Sequence, residues 1–249
     1  MGLAYDRLGQ GPPLVLLHPL GADRRVWDPI LDRVIEQREV VVVDLPGFGG
    51  SPPLPSTPTP SALADAVAAF LESIGVTRPH VAGNSLGGWV ALELALAGRV
   101  RSACAIAPAG LWARPLTPKR GIARHLTRAV LPLIDRAAWS VRGRRVLLAR
   151  AVAWPERVPA PAAAHLMRSY IMAPGFTAVN DAMRAGRFEG LERIHVPVTL
   201  AWSECDRLIS PPTWLPSTVE TRVLEGCGHI PMWDQPGRVA SLLLASSAG

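Results

Sequence analysis

The stretch VAGNSLGGWVALELALAG, residues 81–98, constrains this chain more than any other part of it. An apolar run ends in Gly83-Asn84-Ser85-Leu86-Gly87, and Gly87 and Gly88 then open a segment with the composition of a buried helix. Glycines on both sides of a serine leave room for a sharp bend. Serine and glycine are also ordinary turn residues. Two readings follow: a plain strand-to-helix turn, or a nucleophile held at the tip of that turn. What stands at the ends of the other strands decides between them.

Apolar runs that read as strands recur along the chain. LAYDRL (3–8) and LVLLH (14–18) flank the turn GQGPP, and VVVVDLPG (40–47) is a continuous β-branched run suited to a strand buried on both faces. PHVAGNS, VRSACAIAPAG, VPVTLAWS (196–203) and TRVLEGCG (221–228) complete the set. SPPLPSTPTP (51–60) excludes helix and interior strand, because proline removes donors and fixes φ. Ser61 is the expected cap of a helix over LADAVAAFLESIG that ends at Gly75. LGGWVALELALAG and the final PGRVASLLLAS are further helices. Strands alternating with helices predict an α/β fold with a mostly parallel, helix-covered central sheet. Between 112 and 190 the strand pattern gives way to proline-punctuated, arginine-rich helical sequence. The expected organisation is a core of residues 1–111 and 191–249 with a helical cap, 112–190, inserted into it.

Charge divides along the same boundary. Residues 111–190 carry 14 Arg or Lys against 4 Asp or Glu, a net +10, whereas the rest of the chain has 12 basic and 16 acidic residues. Cationic surfaces steer anionic partners. An acidic carrier protein, a coenzyme A thioester or a carboxylated substrate would suit Arg120, Arg124, Arg128, Arg142, Arg144 and Arg145, the plainer alternative being a solvated arginine-rich face with no partner. Nucleic acid is not expected, because no recognition motif accompanies the charge. No apolar run approaches the ~20 residues needed to cross a membrane. The start, MGLAYDRLGQGPPLVLLHPL, contains Asp6 and lacks a basic leader followed by an apolar stretch. A cytoplasmic location is therefore expected.

A serine hydroxyl is a weak nucleophile and needs a base, itself oriented by a third group. In an open α/β sheet those partners belong at the carboxyl ends of the strands. Asp206 follows the strand VTLAWS, and His229 follows TRVLEG. Asp44, Glu204 and Asp234 are rival acids, Glu204 being only two residues from Asp206.

These segments together resemble the α/β-hydrolase family. Gly83-Asn84-Ser85-Leu86-Gly87 fits its nucleophile elbow, and the order Ser85, Asp206, His229 is the family's order of nucleophile, acid and base. HPLG at 18–21 resembles its HGxG oxyanion loop, DLPGFGGS at 44–51 a familiar family stretch, and WSECDRLIS and GCGHIPMWDQP its acid and histidine motifs. The resemblance spans essentially the whole chain, with 112–190 as the variable cap. It implies that Ser85 attacks, His229 shuttles the proton and Asp206 orients the imidazole, favouring Asp206 over its rivals. It further implies an oxyanion held by the backbone N–H groups of Leu20 and Leu86. Pro19 departs from the glycine usual there and puts the loop's geometry in question. His18 is expected to brace that loop, while His80, His125, His165 and His195 match no motif and read as surface or packing residues.

The activity so implied is hydrolysis of a small-molecule carboxylic ester, lactone or thioester through an acyl-enzyme, with no cofactor or metal. Carbon–carbon bond hydrolysis of ring-cleavage products is an alternative, since GNSxGG resembles that branch, although His18-Pro19-Leu20-Gly21-Ala22 lacks its glycine-rich loop. Cofactor-free haloperoxidase or perhydrolase activity, or ligand binding without turnover, also fits the same residues. Dehalogenase and epoxide hydrolase chemistry needs an aspartate where Ser85 stands. Aromatic and apolar residues of the cap (Trp112, Trp139, Trp154, Leu166, Met167, Tyr170, Ile171, Met172, Phe176) either line an acyl pocket or form the cap's own core. Cys104 reads as a small core residue; Cys205 and Cys227, beside the expected acid and base, read as ordinary buried thiols, with an approach to each other and a redox role as the alternative.

Overall fold

The computed structural model describes residues 2–117 and 129–248. Among them, β1 (Tyr5–Leu8), β2 (Pro13–Leu17), β3 (Glu39–Val43), β4 (His80–Asn84), β5 (Ser102–Ile106), β6 (Val198–Ser203) and β7 (Glu220–Leu224) form one sheet in the order β1-β3-β2-β4-β5-β6-β7. β1 runs antiparallel to β3, and the other pairs are parallel. Parallel strands of a helix-covered sheet are apolar on both faces, and successive side chains alternate between them. The four valines of β3 do so: Val41 and Val43 join one core cluster with Val15, Leu17 and Leu200, while Val40 and Val42 join the other with Leu14, Leu16 and Ala201.

Helices fill both faces. α1 (Asp28–Val34) and α8 (Pro236–Ser246) cover the Val40 side through Ile30, Val34, Val239 and Leu243. α2 (Pro60–Ser73) and α3 (Leu86–Leu96) cover the Val41 side through Leu63, Val67, Phe70, Val90 and Leu94. α3 is apolar nearly all round because it lies sandwiched between the sheet and α2, and Glu93, its one acid, accepts from Trp89 Nε1 at 2.8 Å. α2 begins earlier than Ser61: Thr59 is its cap, accepting from Ala62 N–H, and Pro60 takes the first helical position, where proline's fixed φ fits and no donor is missed.

Between β5 and β6 the chain forms α4 (Leu131–Ala138), α5 (Val141–Leu147), α6 (Ala160–Met172) and α7 (Phe176–Ala185). Ala138, Leu148, Val152 and Leu166 extend the core cluster on the Val40 side, whereas Ala173, Val179 and Met183 extend the one on the Val41 side. Trp112 Nε1 donates to Gly186 O at 2.8 Å and Phe188 N to Gly110 O at 2.9 Å, which draws the two ends of this insertion together. Lys119, Arg120, Arg124, His125 and Arg128 lie outside the described residues.

Parallel register brings the carboxyl ends of the strands to one edge. Leu17 stands opposite Gly83, Asn84 opposite Ile106, and Ser203 opposite Leu224. The loops after β2, β4, β6 and β7 therefore meet, and they are the loops that carry Leu20, Ser85, Asp206 and His229.

Candidate active site

Ser85 sits between β4 and α3 with φ 56° and ψ −112°, a conformation that L side chains rarely adopt. Its backbone is fixed on both sides: the N–H donates to Ile106 O at 2.9 Å, and the carbonyl accepts from Trp89 N and Ala109 N, each at 3.0 Å. The flanking glycines serve close approach. A Cβ on Gly83 would fall on the Gly87 carbonyl, and one on Gly87 would fall on the Leu17 carbonyl. Such strain typically costs about 1–3 kcal/mol and persists only where surrounding contacts over-determine it.

Asp206 and His229 meet. Nδ1 of His229 lies 2.8 Å from Oδ2 of Asp206, and both side chains are buried. Oδ1 of Asp206 accepts from the backbone N–H groups of Leu208 and Ile209 at 2.7 and 3.1 Å. Burial works against the ionised carboxylate, but the hydrogen bond and charge of His229 and those two N–H groups outweigh it and hold the carboxyl below its ordinary value. The Asn84 amide, wholly buried, donates to the carbonyls of Ile106 and His229 at 3.1 and 3.0 Å. It anchors the histidine loop to the residue next to Ser85.

The rival acids are engaged elsewhere. Glu204 is exposed and accepts from Gly226 N–H at 2.8 Å. Asp44 accepts from Arg24 N, Arg24 Nη1 and Gly50 N at 2.6–2.8 Å, tying β3 to the loop after β2. Asp234 accepts from Gly228 N at 2.7 Å and from Ala153 N and Trp154 N at 2.9 Å, clasping the histidine loop to the insertion. Ile230 N adds a bond to Ala151 O at 2.7 Å. Cys205 N donates to Cys227 O at 2.8 Å, which joins the loops of Asp206 and His229 through the main chain. Both thiols are free; Cys205 is exposed rather than buried as expected, because its loop lies at the surface, whereas burial pushes the thiol of Cys227 up to about 12.

His18 braces its loop. Leu45 N–H donates to Nε2 at 2.9 Å, so Nε2 must be the acceptor and Nδ1 carries the proton it gives to Pro19 O at 2.8 Å. Burial lowers its pKa and keeps this ring neutral. Leu20 and Leu86, the expected oxyanion residues, follow Pro19 and Ser85, and among the described residues neither N–H donates to a protein acceptor. Pro19 thus leaves the Leu20 donor intact.

One contact was not foreseeable from motifs. Asp23, three residues after Leu20, meets His165 Nε2 and Ser169 Oγ of α6, each at 2.7 Å. Tyr170 and Phe176, packed edge to face at 4.9 Å, lie against Gly21, while Trp139 is largely exposed and Leu166 and Ile171 are core. His80 is a buried packing residue whose Nδ1 lies 2.8 Å from Ser102 Oγ. A cleft of about 680 Å³ between residues 111–113, 187–192 and 210–216 includes none of Ser85, Asp206 and His229. No cluster of three or more His, Cys, Asp or Glu able to hold a metal occurs among the described residues.

A model of the alpha/beta hydrolase family matches residues 14–242. The epoxide hydrolase EphH of Mycobacterium tuberculosis is 33% identical over 195 residues, 73% of this chain and 91% of that protein. A pimeloyl-[acyl-carrier protein] methyl ester esterase of Aeromonas hydrophila is 44% identical over 100 residues, but the match spans only 39% of this chain and 37% of the esterase. Among solved structures, a bacterial membrane phospholipase A described as a virulence factor is 30% identical, with 98% of this chain and 81% of that one covered at a TM-score of 0.76.

Proposed function

The chain belongs to the alpha/beta hydrolase family, and within that family we propose that it is a serine hydrolase that cleaves a carboxylic ester, lactone or thioester through an acyl-enzyme on Ser85. The reading rests chiefly on one observation: a serine in a strained turn has as its neighbour Asn84, which anchors the loop of a carboxylate-bound histidine.

In this mechanism Ser85 Oγ attacks the substrate carbonyl carbon and its proton passes to Nε2 of His229, the ring nitrogen not engaged by Asp206. Ionised Asp206 accepts from Nδ1–H, fixes that tautomer and stabilises the imidazolium. The N–H groups of Leu20 and Leu86 hold the oxyanion. The imidazolium protonates the departing alcohol or thiol. Water, activated by the same histidine, then attacks the acyl carbonyl, releases the carboxylic acid and returns the proton to Ser85. Tyr170 and Phe176, against Gly21, supply an aromatic wall beside Leu20.

The kinship to an epoxide hydrolase favours a second reading. Epoxide opening by Ser85 would, however, leave an ether on the enzyme, with no carbonyl for water to attack, so turnover would stall. An ester intermediate has that carbonyl, which is why acyl transfer is preferred here.

The test compares wild type and Ser85→Ala on p-nitrophenyl esters of increasing acyl length, with mass spectrometry after a fluorophosphonate probe. Turnover and a single adduct in wild type, both lost in the variant, are the expected result. Conversion of an epoxide to a diol that persists in Ser85→Ala would instead support direct activation of water by His229.

A further inference from the structure

The face formed by α4, α5 and the turn between them is unusual for this molecule. Five of the thirteen exposed large apolar side chains among the described residues fall within 130–146: Val130, Leu133, Trp139, Val141 and Val146. Leu133 and Trp139 are 67% exposed and Val146 78%. These side chains do not serve the core, because the hairpin packs inward through Ala138 and Leu148 instead. Apolar patches of this kind mark interaction surfaces.

Arginines share the same turns. Leu133 and Arg136 are three residues apart on α4, and on α5 Val141 and Arg145, like Arg142 and Val146, are four apart, so each pair projects from one side of its helix. The acids nearby are already engaged: Asp135 bonds Arg168 at 2.7 Å, and Glu156 bonds Arg145 at 3.4 Å. Arg136, Arg142 and Arg150 have no carboxylate partner among the described residues. The surface is therefore both apolar and cationic, with aliphatic side chains, a tryptophan and unneutralised guanidinium groups on neighbouring turns.

We propose that the outer face of α4 and α5 is a docking surface for an anionic phospholipid bilayer. A bilayer interface offers both complements within a few ångströms of depth: phosphates for arginine, and the acyl boundary for Leu, Val and Trp. An acidic protein would satisfy the arginines but would need an apolar patch of its own, matched in shape, to cover Leu133 and Val146, whereas a bilayer offers both without such a match. No helix among the described residues is long and apolar enough to cross a membrane, so this attachment is interfacial.

Flotation with vesicles of equimolar phosphatidylglycerol and phosphatidylcholine, against vesicles of phosphatidylcholine alone, tests this in low and high salt. Wild type should float with the anionic vesicles only. Leu133→Ser with Val146→Ser, and separately Arg136→Gln with Arg142→Gln, should each weaken binding by about tenfold or more. Both variants should turn over a soluble ester as wild type does. If either double substitution lowers Tm, Val146→Ser alone gives the same reading. Absence of binding to anionic vesicles overturns the proposal. So does binding that only the arginine substitutions weaken, which would point to an acidic protein, or self-association abolished by the apolar pair, which would make the face a contact between copies.

Discussion

The side-chain amide of Asn84 donates to the main-chain carbonyl of His229 at 3.0 Å, joining residues 145 positions apart. The same nitrogen donates to Ile106 O, so one wholly buried side chain ties β4, β5 and the loop after β7 together. Its orientation is determined by chemistry: a flipped amide would turn its oxygen toward two carbonyl oxygens. Asn84 stands next to Ser85, so position is passed from the serine's turn to the histidine's loop through a single residue.

Asn84→Ala removes that tether and leaves the His229 carbonyl buried without its donor, at a cost of about 1–3 kcal/mol. Urea denaturation should show that loss. The kcat on a soluble ester should fall about tenfold or more with little change in KM, because the base is displaced while the pocket is not. An unchanged kcat would show that His229 keeps its place without Asn84.

The expected residues of the site can be read from the sequence as candidates because each follows a segment that reads as a strand, apolar and buried for β4 and β6 but largely exposed for β7. Ser85, Asp206 and His229 follow β4, β6 and β7, and parallel pairing then carries those ends to one edge. The Val40–Val43 run likewise announces a strand buried on both faces. The contacts that hold the site do not have this local signature. Asn84 to His229, Asp234 to Ala153 and Asp23 to His165 depend on register and on where the insertion lands, neither of which any window of sequence contains. The two-turn helix α1 is similarly silent, since seven residues give too few apolar repeats to establish a period.

The backbone of Ser85 makes a prediction separate from its hydroxyl. Ser85→Ala and Ser85→Gly should both abolish acyl transfer, with rates falling by several powers of ten. They should differ in stability. Alanine retains the strain at φ 56°, whereas glycine relieves it, so Ser85→Gly should be the more stable by about 1 kcal/mol after its own entropy cost. Calorimetry of the two variants reads the difference directly, and equal Tm values would mean that the turn is not strained.

Asp206 and Glu204 stand two residues apart but differ in what they hold. Asp206→Asn should lower kcat by about 10³–10⁴-fold, because an amide cannot fix the histidine tautomer or balance an imidazolium. In Glu204→Gln the side-chain oxygen can still accept from Gly226 N–H, so kcat should scarcely change. Steady-state kinetics of the two variants checks this, and a larger loss for Glu204→Gln would reverse the assignment of the acid.

Asp23 couples the loop that carries Leu20 to α6 of the insertion. Burial disfavours its charge, yet hydrogen bonds from His165 and Ser169, with the attraction of His165 and the Arg25 N–H, hold the carboxyl down to about 2 from 3.8. The folded value lies below the unfolded one, so the contact contributes fully above about pH 4 and is lost as pH falls toward 2. Its contribution is on the order of 2 kcal/mol. Asp23→Asn should therefore be less stable than wild type at neutral pH, and the gap should close across that acidic window. Chemical denaturation of both proteins between pH 2 and 7 measures it. A gap that stays constant over the whole range would show that the charge on Asp23 does not hold the insertion to the loop.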